Sequence, residues 1–397
     1  MPSGGSEGQA APPAPLSIGL DLAYLQADSG GSGTYARELV RAIARVEPQS
    51  RLTAWVGPGA PPDMASQLPG CDIVRLPVKS TRSVVRIPVE LLGLGWAGAR
   101  RGTQVVHGLA YTAPILGRVA RVVTILDLPW RREPRSTDML ARLMFPFLTR
   151  VCAPRCHRII AISEAARDDL VEGVGIDRNR ISVTPLGVSA PPADRLDGRR
   201  AEEILRCGPH DRVLLAVGQV NEHKNLLRLV DAAGQLDARD VVVAVVGRTT
   251  KYARALHERA AEAGVPLRVT GFVPEGELEA LYLRADLLVM PSRSEGFGLP
   301  VLEAMVRGVP VACSDIPPLR EVAAGAAEFF DPHDATGIAA ACRRVLDDPS
   351  HREDLIARGR QRAGEMGWDT TAKLTLEAYR QAIAQRLQRV TRRAPER

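Results

Sequence analysis

A chain of 397 residues is too long for one comfortable core, because a domain usually takes roughly 100 to 200 residues, so two domains are expected. With 45% hydrophobic and 25% charged residues it has the composition of a folded soluble protein, and its apolar runs, such as VVVAVV at 241–246, fall far short of the roughly 20 residues that cross a bilayer. The formal net charge of +6 is concentrated in residues 118–158, where nine arginines face only Asp127, Glu133 and Asp138. Such a face suits a phosphorylated substrate or an anionic membrane surface. Nucleic acid is not expected as a partner, since the chain has no recognisable nucleic-acid motif and only 4% aromatic residues for stacking.

Residues 1–15, made of Gly, Ser, Ala and Pro with one charge, lack the apolar middle of a secretory signal and read as a disordered tail. From Leu16 a short apolar strand (17–23) leads into the glycine-rich loop GGSGTYA (30–36) and then a helix over 36–46. Gly31, Ser32, Gly33 and Thr34 of that loop are candidates for ligand contact. Further strands are expected at 52–57, 104–108, 121–127, 158–163 and 181–187, alternating with helical stretches, which is the pattern of a parallel, doubly wound sheet. A proline- and charge-rich stretch around 191–203 ends this first domain, 16–190. The pattern then restarts, with strands at 213–220, 241–247, 267–273, 286–292 and 309–315 in a second domain, 204–370. A long helix over 371–390 closes the chain, and residues 371–397 are expected to pack back towards the first domain. The fold class is therefore α/β, with two Rossmann-like parallel-sheet domains and a cleft between the carboxyl ends of their strands.

The six cysteines stand at irregular positions and describe no disulfide framework, which fits a reducing cytoplasm. Cys152, Cys156 and His157 have no second cysteine pair at ligand spacing, so buried thiols and no metal are expected.

The segment PSRSEGFGLPVLEAM (291–305) carries most of the chemistry. It follows a strand, is rich in glycine, and opens a helix with Pro300 in its first turn, where a missing N–H does no harm. Free amides at such a helix end bind anions, a diphosphate among them. Glu295 before the helix and Glu303 within it read as two hydroxyl clamps, one for a sugar ring and one for a ribose. In VGQVNEHKN (217–225), Gly218 ends a strand, and Lys224 with Asn225 precedes a helix in a chain that has only four lysines, which makes Lys224 the expected diphosphate cation. No Asp-x-Asp triplet occurs, so the leaving group is expected to be stabilised by protein and not by a metal ion.

These residues resemble the GT-B retaining glycosyltransferases of family four, the group 1 glycosyltransferases, whose mark is two glutamates with seven residues between them, met here by Glu295 and Glu303. The likeness extends through 272–305, 315–332, Trp368, and in the first domain GGSGTYARELV, AISEAARDDL and PLGV. It implies a nucleotide diphosphate sugar as donor, held by the second domain through Gly218, Lys224, Asn225, Gly296, Phe297, Gly298, Leu299 and Glu303, with no cofactor. It also implies Glu295 at the transferred sugar, and an acceptor in the first domain that is a glycan, a lipid-linked sugar or a small molecule. Many relatives have a His-Asp pair where this chain has Leu126-Asp127. Asp127 and His107, each at the end of a predicted strand, are the candidates for an acceptor-side polar group, with a structural role as the alternative for either. The expected activity is hexosyl transfer in glycan, glycolipid or natural-product biosynthesis, in the cytoplasm or at the inner face of the cell membrane. A catalytically silent GT-B binding protein and a phosphorylase or epimerase on the same fold are the alternatives.

Overall fold

The computed structural model describes residues 14–26, 29–78, 83–133, 139–191, 198–236 and 240–391. Most of the expected amino-terminal tail, and residues 192–197 of the expected linker, lie outside them.

The first sheet has seven parallel strands: β1 (Ser17–Leu22), β2 (Arg51–Val56), β3 (Cys71–Arg75), β4 (Val105–Gly108), β5 (Ala120–Ile125), β6 (Arg158–Ala161) and β7 (Ile181–Val183). They run in the order β3-β2-β1-β4-β5-β6-β7. The second has six: β8 (Arg212–Val217), β9 (Val241–Val246), β10 (Leu267–Gly271), β11 (Leu287–Met290), β12 (Val311–Ser314) and β13 (Glu328–Phe330), ordered β10-β9-β8-β11-β12-β13. Central strands such as β4, β9 and β11 are buried at every residue, because helices cover both faces of a parallel sheet. In both sheets the chain reverses its direction of winding beside the first strand, between β1 and β4 and between β8 and β11. Loops at such a switch point diverge and leave a crevice at the carboxyl edge.

Two strands escape the sequence reading, β3 and β13. Both lie at sheet edges, and neither shows a continuous apolar run, since an edge strand has less to bury. A second difference concerns the glycine-rich loop. The helix runs from Gly31 to Val46, so Gly31, Ser32, Gly33 and Thr34 form its first turn and not a loop ahead of it. Glycine costs little at a helix end, and Tyr35, Ala36, Leu39, Val40 and Ile43 supply the buried stripe that fixes the helix on the sheet.

The last helix, Trp368–Thr391, follows the second sheet in sequence but lies against the first, over β4 to β7 and beside the Gly31–Val46 helix. Trp368, Ala372, Leu376, Tyr379 and Ala382 form its buried face. Thr371 Oγ1 donates to Pro185 O at 2.6 Å and Val188 N to Met366 O at 2.8 Å, tying the crossing point to the end of the first domain. No helix among the described residues is long and apolar enough to cross a membrane.

Candidate functional site

Two loops leave the carboxyl edge of the second sheet at its switch point. After β8, Gly218 has φ +142°, and a Cβ there would stand 3.0 Å from Cε and 3.2 Å from Nζ of Lys224. Only glycine lets the lysine fold back over the strand end. Asn225, at φ +57°, caps the helix Leu226–Ala233. Its Nδ2 donates to Pro291 O at 2.9 Å and to Pro332 O at 2.7 Å, and the residue is 6% exposed. The Asn225 amide nitrogen, expected among the donor contacts, therefore holds the backbone of two neighbouring loops.

After β11 the second loop reaches the helix Leu299–Val306, with Gly298 as its cap at φ +119° and Pro300 in the first turn, as the sequence predicts. Phe297 and Leu299 turn their side chains into the core, so they offer the site backbone alone. In this loop Glu295 Oε1 accepts a hydrogen bond from Lys224 Nζ at 2.7 Å, with side chains only 11% and 15% exposed. The two charges satisfy each other in a sheltered place and leave the other carboxylate oxygen and the remaining ammonium protons for a ligand.

The same loop abuts the first domain. A Cβ on Gly296 would lie 2.3 Å from Leu126 O and 3.0 Å from Asp127 Cβ, so no larger residue fits there. Ser163 Oγ donates to Gly296 O at 2.8 Å while accepting from Ala166 N at 3.0 Å, capping the helix Glu164–Val174. A Cβ on Gly31 would be 4.0 Å from Leu299 Cδ1, so the open ends of two helices, one from each domain, face each other. Gly33 N and Thr34 N already bond to Gly30 O, which leaves Gly31 and Ser32 with the outward amides of the first turn.

Asp127 joins this constellation from β5. Tyr111 donates a hydrogen bond to its Oδ1, burial pushes its carboxyl up to about 6, and Glu295 adds to the rise while Tyr111 and Lys224 oppose it. Leu126 beside it presents no polar group. His107 is not part of the site. It has no exposed surface, its Nδ1 is 2.7 Å from Tyr379 Oη and its Nε2 2.7 Å from Thr124 Oγ1, and burial lowers its pKa to about 3. Both nitrogens are engaged inside the core, so the structural alternative holds for this residue.

Glu303 stands apart from Glu295. Its Oε2 accepts from the hydroxyl of Tyr282 at 2.7 Å, and burial raises its pKa. Tyr282 itself is fully buried, under the Arg307 guanidinium 4.9 Å from its ring centre. Sequence reasoning missed Tyr282, Ser163 and two further links across the cleft. Glu321 accepts from Glu164 N at 2.9 Å and Ala165 N at 3.3 Å, placing a carboxylate at the positive end of a helix. Arg293 forms a two-pronged pair with Glu133 at 3.1 and 3.0 Å. Among the described residues no three His, Cys, Asp or Glu side chains gather as a metal site. Cys152 and Cys156 are buried free thiols, and His157 Nδ1 accepts from Arg121 N at 3.0 Å.

The chain is similar to known proteins along most of its length. A family model described as glycosyl transferases group 1 matches residues 200–362, and one described as glycosyl transferase 4-like domain matches residues 30–187. The D-inositol 3-phosphate glycosyltransferase of Pseudarthrobacter chlorophenolicus is 32% identical over 396 residues, covering 90% of this chain and 91% of the relative. The chain belongs to the group 1 glycosyltransferase family. The O-antigen chain mannosyltransferase B of Escherichia coli is 31% identical over 233 residues, and there the chain spans 60% of the relative's length and 56% of its own. Sucrose-phosphate synthase from Thermosynechococcus elongatus superposes on this glycosyltransferase with a TM-score of 0.76 at 21% identity, over 93% of this chain and 99% of that one, which shows a shared GT-B fold. In that setting the glycosyltransferase brings Glu295, Lys224, Gly218, Gly296 and Asp127 together at the domain junction, holds Glu303 on Tyr282, and leaves His107 in the core.

Proposed function

We propose that this glycosyltransferase is a retaining enzyme that moves a hexosyl group, mannosyl, glucosyl or a deoxysugar, from a nucleotide diphosphate sugar to a hydroxyl on a glycan, lipid-linked or small-molecule acceptor. The observation that carries the reading is the 2.7 Å pairing of Lys224 with Glu295 between two opposed helix ends. A donor diphosphate, with its two negative charges, draws the Lys224 ammonium away from Glu295. The released carboxylate then accepts hydrogen bonds from hydroxyls of the sugar, so one ion pair is exchanged for two ligand contacts. Amides at the open end of the Leu299–Val306 helix take further phosphate oxygens. Glu303, held by Tyr282 through one oxygen, offers the other to ribose hydroxyls.

As the bond between the anomeric carbon and the diphosphate oxygen breaks, negative charge grows on the departing group. Once the donor has drawn Lys224 over, the lysine and the helix end face that charge, so stabilising it at the chemical step needs no further reorganisation and no metal ion. The acceptor hydroxyl lies against the first domain near Asp127 and attacks on the same face of the sugar, its proton passing to the departing diphosphate oxygen as the new bond forms. The residue limits 16–190 for the acceptor side, 191–203 for the linker and 204–370 for the donor side accompany this reading, as does contact of the basic 118–158 stretch with an anionic membrane surface.

A thermal-shift panel of GDP-, UDP- and dTDP-sugars tests it. A true donor raises the melting temperature, by an amount that grows as its concentration passes its Kd, and is consumed when acceptor is supplied. A protein that binds a nucleotide sugar and never turns it over is the silent alternative, and release of sugar phosphate on adding inorganic phosphate is the phosphorylase.

A further inference from the structure

At the amino edge of the first sheet, the pole away from the cleft, the chain leading into β4 and β5, the helix Leu94–Arg100 and the last turns of the closing helix surround a cavity of about 670 Å3. Its wall combines Arg100, Arg118 and Arg386 with Trp96, Ile383 and Leu387. Among the described residues these three guanidinium groups, and that of Arg389 one turn further along, have no hydrogen bond or ion pair. The Arg293 and Arg132 guanidinium groups, in contrast, are matched, by Glu133 and Asp169. Arg386 and Arg389 also act on their neighbours. After burial, their charges help to lower the pKa of the Arg121 guanidinium and of the His157 imidazole.

A cluster of like charges raises the free energy of the folded chain unless a counter-anion joins it. Planar guanidinium forks match phosphate oxygens in pairs, which an isolated lysine does not. The apolar part of the wall asks for something more than a bare ion. Trp96 is 47% and Leu387 54% exposed, large apolar side chains with little protein over them. Thr103, also in the wall, is 5% exposed and has a buried hydroxyl with no partner.

We infer that this cavity binds a phosphate group carried on an apolar body, at a site separate from the donor cleft. That chemistry has two sources, an anionic phospholipid in a bilayer and a soluble organophosphate. The Arg118→Ala/Arg386→Ala double variant tests the site, with Arg100→Gln as a second, single change and Arg118→Lys/Arg386→Lys as the charge-keeping control. Two probes are used: co-sedimentation with phosphatidylglycerol vesicles against phosphatidylcholine vesicles, and calorimetry with phenyl phosphate. The wild-type protein is expected to bind at least one probe, and the double variant to bind it roughly tenfold or more weaker, with the lysine pair in between. Loss confined to the vesicle arm identifies a lipid, and loss in the phenyl phosphate arm a soluble ligand. Wild-type protein that binds neither probe, or variants that bind both as the wild type does, overturn the inference. Nucleotide-sugar binding is expected to stay the same in all of them, because the cleft lies at the other edge of the sheet.

Discussion

Replacing Lys224 by alanine separates the two tasks given to one ammonium group. At 2.7 Å the Lys224–Glu295 pair has a gross attraction of roughly 6 kcal/mol at an effective dielectric of about 20, from which desolvation of both partners must be subtracted. With side chains 15% and 11% exposed, a double-mutant cycle of Lys224→Ala, Glu295→Ala and the double variant is expected to give a coupling of about 1–3 kcal/mol in urea unfolding. Each single variant leaves a sheltered charge alone, so the double variant is expected to be less destabilised than the sum of the two. Catalysis responds differently. In the proposed mechanism Lys224 faces the departing diphosphate, so its removal is expected to lower kcat/KM for transfer by about 100- to 1000-fold, the usual loss for one preorganised charge-stabilising group. Glu295→Ala lowers it too, and the double variant restores stability without restoring turnover. Release of nucleotide diphosphate, followed at saturating acceptor, gives the rates. A coupling below about 0.5 kcal/mol, or a Lys224→Ala enzyme with wild-type kcat/KM, would refute the assignment of this pair.

Two further outcomes follow from the first domain. His107→Ala removes a buried group bonded to Tyr379 and Thr124, and is expected to destabilise the fold by about 2–4 kcal/mol while changing kcat little. Because the folded-state pKa of His107 is lowered to about 3, its contribution is present above the unfolded value near 6.5 and is lost as pH falls towards 3, so the variant's urea stability should depend less on pH across that window. Asp127 has the opposite sign. Its folded pKa is raised to about 6, so the stability it contributes is complete below its unfolded value and is lost as pH rises through 6. Asp127→Asn should therefore be more stable than the wild type at pH 8 and nearly equal to it at pH 4, and the limb near pH 6 in the wild-type profile of kcat/KM should vanish. Parallel melting curves of the two proteins at both pH values would discard this reading.

The two loops at the switch point of the second sheet were readable in the sequence because their parts are local. A helix that opens on free backbone amides is specified by the glycines and Pro300 beside Glu295 within a few residues of one another, and Lys224 stands out in a chain with so few lysines. The strands buried on both faces were readable for the same reason, as unbroken apolar runs, whereas the edge strands β3 and β13 carry no such signal.

The direction in which a polar side chain points was decided by what packs over it from far along the chain. His107 and Asp127 both stand at the carboxyl end of the first sheet, and the closing helix, which brings Tyr379 across 272 residues, covers the one, while the other lies near enough to Glu295 to feel its charge. Asn225 beside Lys224 faces two proline carbonyls and not the cleft, and Ser163 and Glu321 become cross-domain links only when the domains meet over 133 and 157 residues. Short-range pattern fixes which backbone turns form, since a turn depends on its own residues. Whether a hydrogen-bonding group is exposed or satisfied depends on distant surfaces, which no local pattern encodes.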